Sequence, residues 1–282
     1  MATSLIPIHD ANPTKRFPLV TIALLIANVL AFFLVEPNFG TGAPASEYFF
    51  ENAPMPCQLE NTCPAGFVIT DQGISPPLND RELEQVQQNP EVINREVGPH
   101  RVAVIPDRDL MSFVGAILLS TFLHAGFLHI AGNMLFLWVF GNNIEDFLGP
   151  IKYLGFYLLG GIAAALAHIF THLNDIAPSV GASGAVAAVM GAYLVLFPRA
   201  RVTTLVFIFF FITFIELSAF AVLGLWFVFQ FITGAQEASG ATSVAWMAHV
   251  GGFVFGVVGI FLLGGRPHRP RWEPSWGWRR GY

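Results

Sequence analysis

The sequence predicts an all-α, polytopic membrane bundle of six transmembrane helices, and three observations carry that expectation. Hydrophobic residues fill 54% of the 282 positions and charged residues only 12%, about half the charge of an ordinary soluble domain; mean hydropathy is +0.58. The 28 Phe and 27 Gly suit helices that are solvated by lipid and approach one another closely. Six largely apolar stretches come near the ~20 residues that a crossing helix needs. A soluble globule is excluded by this composition, and a net charge of −5 leaves no basic surface for nucleic acid.

The expected spans are 17–35, 127–144, 152–172, 183–197, 214–234 and 244–263. They divide the chain into an N-terminal segment (1–16), a first helix (17–35), an extracytoplasmic insert (36–109), a membrane core (110–265) and a Trp/Arg-rich tail (266–282). The first stretch exceeds the ~7–15 residues of a signal-peptide core and no A-x-A site follows, so it reads as a retained anchor. With the N-terminus inside, ten Lys and Arg fall on inner segments, and only Arg81, Arg95, Arg101 and Arg108 fall outside, all in the insert. That asymmetry makes both termini cytoplasmic, and a bacterial plasma membrane is the expected location.

The insert holds twelve of the nineteen acidic residues and is too long for a simple connection; it reads as a loop domain or a partly disordered segment. Cys57 and Cys63, the only cysteines, sit where an oxidising compartment is expected, so a small disulfide-closed turn is one reading and two free thiols the other. Residues 202–213 are apolar and follow the corner Pro198-Arg199-Ala200-Arg201 directly. A long tilted helix and an interfacial segment both fit them. In the tail, Trp272, Trp276 and Trp278 alternate with Arg and Pro, a pattern suited to an interfacial anchor. No internal repeat suggests a transporter built from two halves.

Polar groups inside spans are expensive and mark candidate sites. His129 and Asn133, four apart in His124-Ala-Gly-Phe-Leu-His129-Ile-Ala-Gly-Asn133, share one helix face; they could satisfy each other or serve a site. Gly181-Ala182-Ser183-Gly184 follows the polar loop 174–179 and opens an apolar helix. There a serine could be a nucleophile beside free backbone N–H groups, or simply a favoured cap. His249 is followed by Gly252 and Gly256, and the helix after Ser183 carries Gly184, Ala188 and Ala192 at intervals of four. Packing these small-residue faces together brings Ser183 and His249 to similar depth, where imidazole could take the hydroxyl proton.

Together, His129-x-x-x-Asn133, Gly181-Ala-Ser-Gly184 and His249 with its Gly252/Gly256 stripe resemble the rhomboid intramembrane serine proteases, over about residues 110–265. The resemblance implies a Ser183–His249 dyad, an oxyanion hole from His129, Asn133 and the Ser183 N–H, and neither metal nor cofactor. His124, Gly181 and Gly184 belong to the same motifs. It implies single-span membrane proteins as substrates and lipid as surroundings. Two positions depart from the family pattern. Gly115 and Ala116 stand where many members carry Trp-Arg in an outer loop, and Ala187 stands where some place a Tyr against the catalytic histidine. Trp246 or Phe253 would then have to position His249. Access to the site is expected through the fifth span and the 235–243 loop.

Other chemistries fit poorly. His168 and His172 lack the glutamate of an H-E-x-x-H zinc site, and no span interior holds an aspartate. Glu145, Asp146 and Glu216 lie near span ends, where caps or ion pairs are expected. The competing reading is a non-proteolytic rhomboid-like protein that binds or escorts single-span clients; loss of Ser or His would mark it, and both are present.

Overall fold

A computed structural model describes residues 5–70, 73–75, 77–88, 100–208, 211–238 and 245–267. The chain is mostly helical. Helices α1 (Leu19–Leu34), α5 (Phe127–Leu148), α6 (Pro150–Thr171), α7 (Ser183–Leu196), α8 (Ala219–Ala238) and α9 (Trp246–Leu262) fall on the six apolar stretches. Among the described residues, α6 is the one helix long and apolar enough to cross a membrane by length and composition; shorter apolar helices of 10–17 residues occur at Leu19–Leu34, Leu110–Ser120, Ser183–Leu196, Ala219–Ile232 and Trp246–Leu262.

Glycine and proline punctuate the bundle. Gly126 (φ +107°) precedes α5 and Gly149 (φ +78°) ends it, backbone angles that glycine adopts without strain. Pro150 then opens α6, where its missing N–H costs nothing. The start of α1 is capped from another helix: the buried Glu145 carboxylate of α5 accepts from the N–H groups of Val20 (2.8 Å) and Thr21 (2.7 Å), satisfying two orphan donors. Asp146 accepts from the N–H of Arg16 at 3.0 Å. Glu145 is therefore a buried cap, and Glu216 forms an exposed ion pair with Arg201 at 2.9 Å.

The centre of the bundle is the seam between α6, α7 and α9. A Cβ on Gly252 would collide with the carbonyl of Gly184, and one on Gly256 with the carbonyl of Ala188. On the α6 side, Gly251 faces Ala167, while Gly160 faces Ala188 of α7. Around the seam Tyr153, Tyr157, Tyr193 and Phe140 are completely buried.

Three expectations are corrected. The fold is not all-α, because residues 202–208 and 211–213 are strand and not part of a long tilted helix. Strands β5 (Arg201–Ile208) and β6 (Phe211–Ser218) pair antiparallel, and β1 (Leu5–Asp10) adds to β5 with Leu5 opposite Val206 and Asp10 opposite Val202. The run of β-branched and aromatic residues favours strand once β1 covers one edge. As a result the fifth apolar helix begins at Ala219 rather than 214. An additional helix, α4 (Leu110–Ser120), opens the core, capped by the Asp109 carboxylate, which accepts from the Ser112 N–H at 2.8 Å.

The insert, as far as it is described, is folded. Helices α2 (Gly42–Asn52) and α3 (Asp80–Gln88) accompany a sheet of order β3-β2-β4, formed by Gly73–Ile74, Gly66–Thr70 and His100–Val104. Phe50, Met55, Phe67, Ile69 and Ala103 make a small core. Cys57 and Cys63 are joined by a disulfide with their Cα atoms 4.9 Å apart. Residues 89–99 of the insert, and Trp272, Trp276 and Trp278 of the tail, lie outside the described residues.

Candidate active site

Ser183 is the first residue of α7, two residues after Gly181, whose φ of +128° turns the chain. A Cβ on Gly181 would press on the His129 ring at 2.8 Å, so the turn passes closely under that imidazole. The first N–H groups of α7, like those of any helix, lack intrahelical partners. Gly252 and Gly256 bring α9 onto α7, and His249 reaches the serine: its Nε2 lies 2.8 Å from Ser183 Oγ.

The other ring nitrogen, Nδ1, is 2.7 Å from Gln230 Oε1. The orientation of that amide is settled by its second bond, because Gln230 Nε2 donates to the carbonyl of Trp226 at 3.0 Å. An oxygen facing Nδ1 requires Nδ1 to carry the proton, which leaves the Nε2 lone pair for the serine hydroxyl. The Trp226 ring flanks His249 at 5.8 Å between centroids. Trp246 and Phe253, the aromatic neighbours expected for His249, do other things. Trp246 packs on Gly234 and Phe231, and Phe253 lies behind Trp226 and Phe227.

His129 and Asn133, on successive turns of α5, line one cavity of about 600 Å³ with Ser183, His249, Met190 and Trp226. His129 Nδ1 accepts from the Ala125 N–H at 3.3 Å, so the proton sits on Nε2, the nitrogen that faces Gly181. The buried Nδ2 of Asn133 has no hydrogen-bond partner. His129 Nε2 thus lies beside the turn that leads into Ser183, and Asn133 holds an unpartnered donor among the residues lining the same cavity.

His124 is not in the cavity wall. It is fully buried one turn before α5, its ring 5.3 Å from that of His129, and its N–H donates to Glu36 Oε1 at 2.9 Å. Burial pulls the His124 imidazole down to about 3 and pushes the Glu36 carboxyl up to about 7. Gly115 and Ala116 lie within α4 rather than in a loop. His168 and His172 stack on each other at 4.8 Å, and among the described residues no group of three or more His, Cys, Asp or Glu could hold a metal ion.

The insert reaches the site. Phe49 of α2 lines the same cavity, and the loop before Ser183 is stitched to the insert by Cys57 N–H to the Asp175 carbonyl (3.1 Å) and Ser179 N–H to the Pro54 carbonyl (3.0 Å). Gln230, Trp226 and Phe49 escape sequence reasoning. The one available signal is that Gln230 is an amide inside an otherwise apolar stretch, a candidate by cost alone. Part of the 235–243 loop, expected to guard access, falls outside the described residues.

Residues 113–266 match the Rhomboid domain family. The chain is 35% identical over 104 residues to Rhomboid protein 1, mitochondrial, of Saccharomyces cerevisiae, covering 36% of this chain and 30% of that protein. It is 35% identical over 89 residues to the human Presenilin-associated rhomboid-like protein, mitochondrial, covering 30% and 23%. Against RHOMBOID-like protein 5 of Arabidopsis thaliana it is 36% identical over 72 residues, covering 26% and 23%. The chain thus spans less than a third of the length of each of these relatives. No solved structure matches. One expectation is overturned: the yeast and human relatives are mitochondrial by name, so the bacterial plasma membrane, and with it the cytoplasmic assignment of both termini, is withdrawn.

Proposed function

This chain belongs to the rhomboid family, and from that premise we propose that it is an intramembrane serine endopeptidase acting on single-span membrane proteins through a Ser183–His249 dyad. The observation that carries the reading is the 2.8 Å contact between His249 Nε2 and Ser183 Oγ inside a cavity. In this reading α1, α5, α6, α7, α8 and α9 are the six crossing helices.

The chemistry follows from the groups present. His249 takes the hydroxyl proton as Ser183 Oγ attacks the scissile carbonyl. Charge then develops on the carbonyl oxygen, where His129 Nε2–H, Asn133 Nδ2–H and the Ser183 N–H can meet it. Collapse of the tetrahedral intermediate breaks the C–N bond, and His249 returns the proton to the leaving amine. Water entering the cavity hydrolyses the acyl-serine by the same proton route. A substrate helix must first unwind, because its carbonyls are hydrogen-bonded and shielded. Lipid and the single-span client are the partners of this reading, and side chains with water suffice for it.

The test is a fluorophosphonate probe together with a panel of single-span proteins. Wild type should be labelled at Ser183 and should cut at least one substrate; Ser183→Ala and His249→Ala should do neither while remaining folded. Binding of single-span clients with neither labelling nor cleavage would replace this reading with the non-proteolytic, client-escorting one.

A further inference from the structure

We propose that Gln230 is the positioning residue of the dyad, and that through it His249 is a competent base only while α8 is seated against α9. The inference rests on the serine-protease reading and extends it to a residue outside the matched motifs. A Ser–His pair needs a third group to choose the imidazole tautomer and hold the ring, because an imidazole protonated on Nε2 cannot accept from the serine. The Tyr position of some relatives is Ala187 here, and its methyl supplies no ring to stack.

Gln230 fills that need in three ways. Its Oε1 accepts at 2.7 Å from Nδ1. Its amide cannot flip without losing the bond from Nε2 to the Trp226 carbonyl, so the oxygen is held toward the histidine. The side chain is buried, where a hydrogen bond competes little with water. As a neutral acceptor it orients the ring without drawing a permanent charge onto it.

Both supports of the ring, the Gln230 oxygen and the Trp226 indole, come from α8 one turn apart. That helix is anchored at its start, where Val222 and Leu223 are buried in the core; beyond that turn it is held to α9 by Trp226 and Phe227 against Phe253 and by Trp246 against Phe231 and Gly234. Away from these contacts it leaves Leu225, Val228 and Ile232 exposed. Movement of α8 away from α9 would therefore release the histidine, and its return would restore it. Ser183 and the oxyanion donors sit on other helices and would not move with it.

The experiment compares Gln230→Leu and Gln230→Glu with wild type in membranes, measuring the rate of fluorophosphonate labelling, kcat and KM for a single-span substrate, the pH profile and thermal stability. Gln230→Leu should slow labelling and kcat by about tenfold or more, as loss of an orienting hydrogen bond does, with KM within about twofold of wild type. Gln230→Glu retains the acceptor and should recover most of the rate. Its acid limb should move to higher pH, because a carboxylate beside Nδ1 favours imidazolium. Wild-type labelling and kcat in folded Gln230→Leu would overturn the inference while leaving the serine reading intact. So would a Gln230→Glu variant as slow as Gln230→Leu with an unmoved pH profile. If wild type itself is never labelled, the serine reading fails and this inference falls with it.

Discussion

The seam between α6, α7 and α9 and the insert between α1 and α4 meet at the same cavity but are held together by opposite means. In the seam, Gly252 and Gly256 lie against the carbonyls of Gly184 and Ala188; helix backbones touch and nothing flexible lies between them. In the insert, a few buried apolar side chains, one disulfide, the Arg101–Glu47 ion pair at 2.7 Å and two backbone hydrogen bonds to the loop before Ser183 carry the structure. Distance between Ser183 and His249 is a property of the seam, whereas the shape of the cavity mouth belongs partly to the insert. Damage to the first should remove chemistry and fold together. Damage to the second should alter access and selection while the dyad stays assembled.

The largest break is expected from Gly256→Leu. No rotamer relieves a collision at Cβ with a backbone carbonyl, so the change should exceed the usual overpacking cost and destabilise by about 3 kcal/mol or more. Loss of folded protein in a thermal melt, along with loss of labelling, is the expected outcome; wild-type melting would mean that the seam can open. Asn133→Ala comes next and is chemical: turnover should fall by about 10²–10³ with one oxyanion donor gone, while the melt is unchanged.

On the insert side, replacing Cys57 and Cys63 by Ser should cost about 2 kcal/mol locally, the scale for closing so short a loop. The expected reading is faster proteolysis within 42–108 and a changed preference among substrates, with labelling of Ser183 retained. Total loss of labelling would show that the two regions do not behave separately. The smallest effect concerns Glu36. Its folded pKa, raised by burial to about 7, stands above its unfolded value, so its contribution to stability is fully present below about pH 4.5 and is lost as pH rises through 7. His124, pulled down to about 3, gives the opposite slope below about pH 6.5, so the measurement is the difference between wild type and Glu36→Gln. Glu36→Gln should be the more stable of the two at pH 8, and the gap should close toward pH 5.

The two regions also differed in how much of them could be read beforehand. A long apolar run is its own evidence, which is why the helices of the core stand near their expected positions. The spacing of Gly252 and Gly256 against Gly184 and Ala188 identified facing surfaces because small residues four apart define a stripe. Ser183 and His249 followed from those stripes. What escaped depends on partners distant in sequence. Gln230 was visible as an amide among apolar residues, but nothing local said that it faced His249. Phe49 was one aromatic in a polar segment, and the insert's small core joins residues from 50 to 105 through pairings that no periodicity announces. Residues 202–213 read as helix or interfacial segment because their strand partner, Leu5–Asp10, lies at the other end of the chain.

That last pairing bears on how the protein is made. β1 leaves the ribosome long before its partner β5, which begins at Arg201, and the Tyr193 hydroxyl that donates to Asp10 at 2.7 Å is nearly as remote. At roughly 5–20 residues per second, the N-terminal strand waits about 10–40 s before anything exists to pair with it. Throughout that interval it is an open strand edge, available to whatever else is nearby. Closure of the sheet is then a late event in biogenesis, and shortening or delaying the segment that follows α7 should strand the N-terminus before it touches any residue of the site.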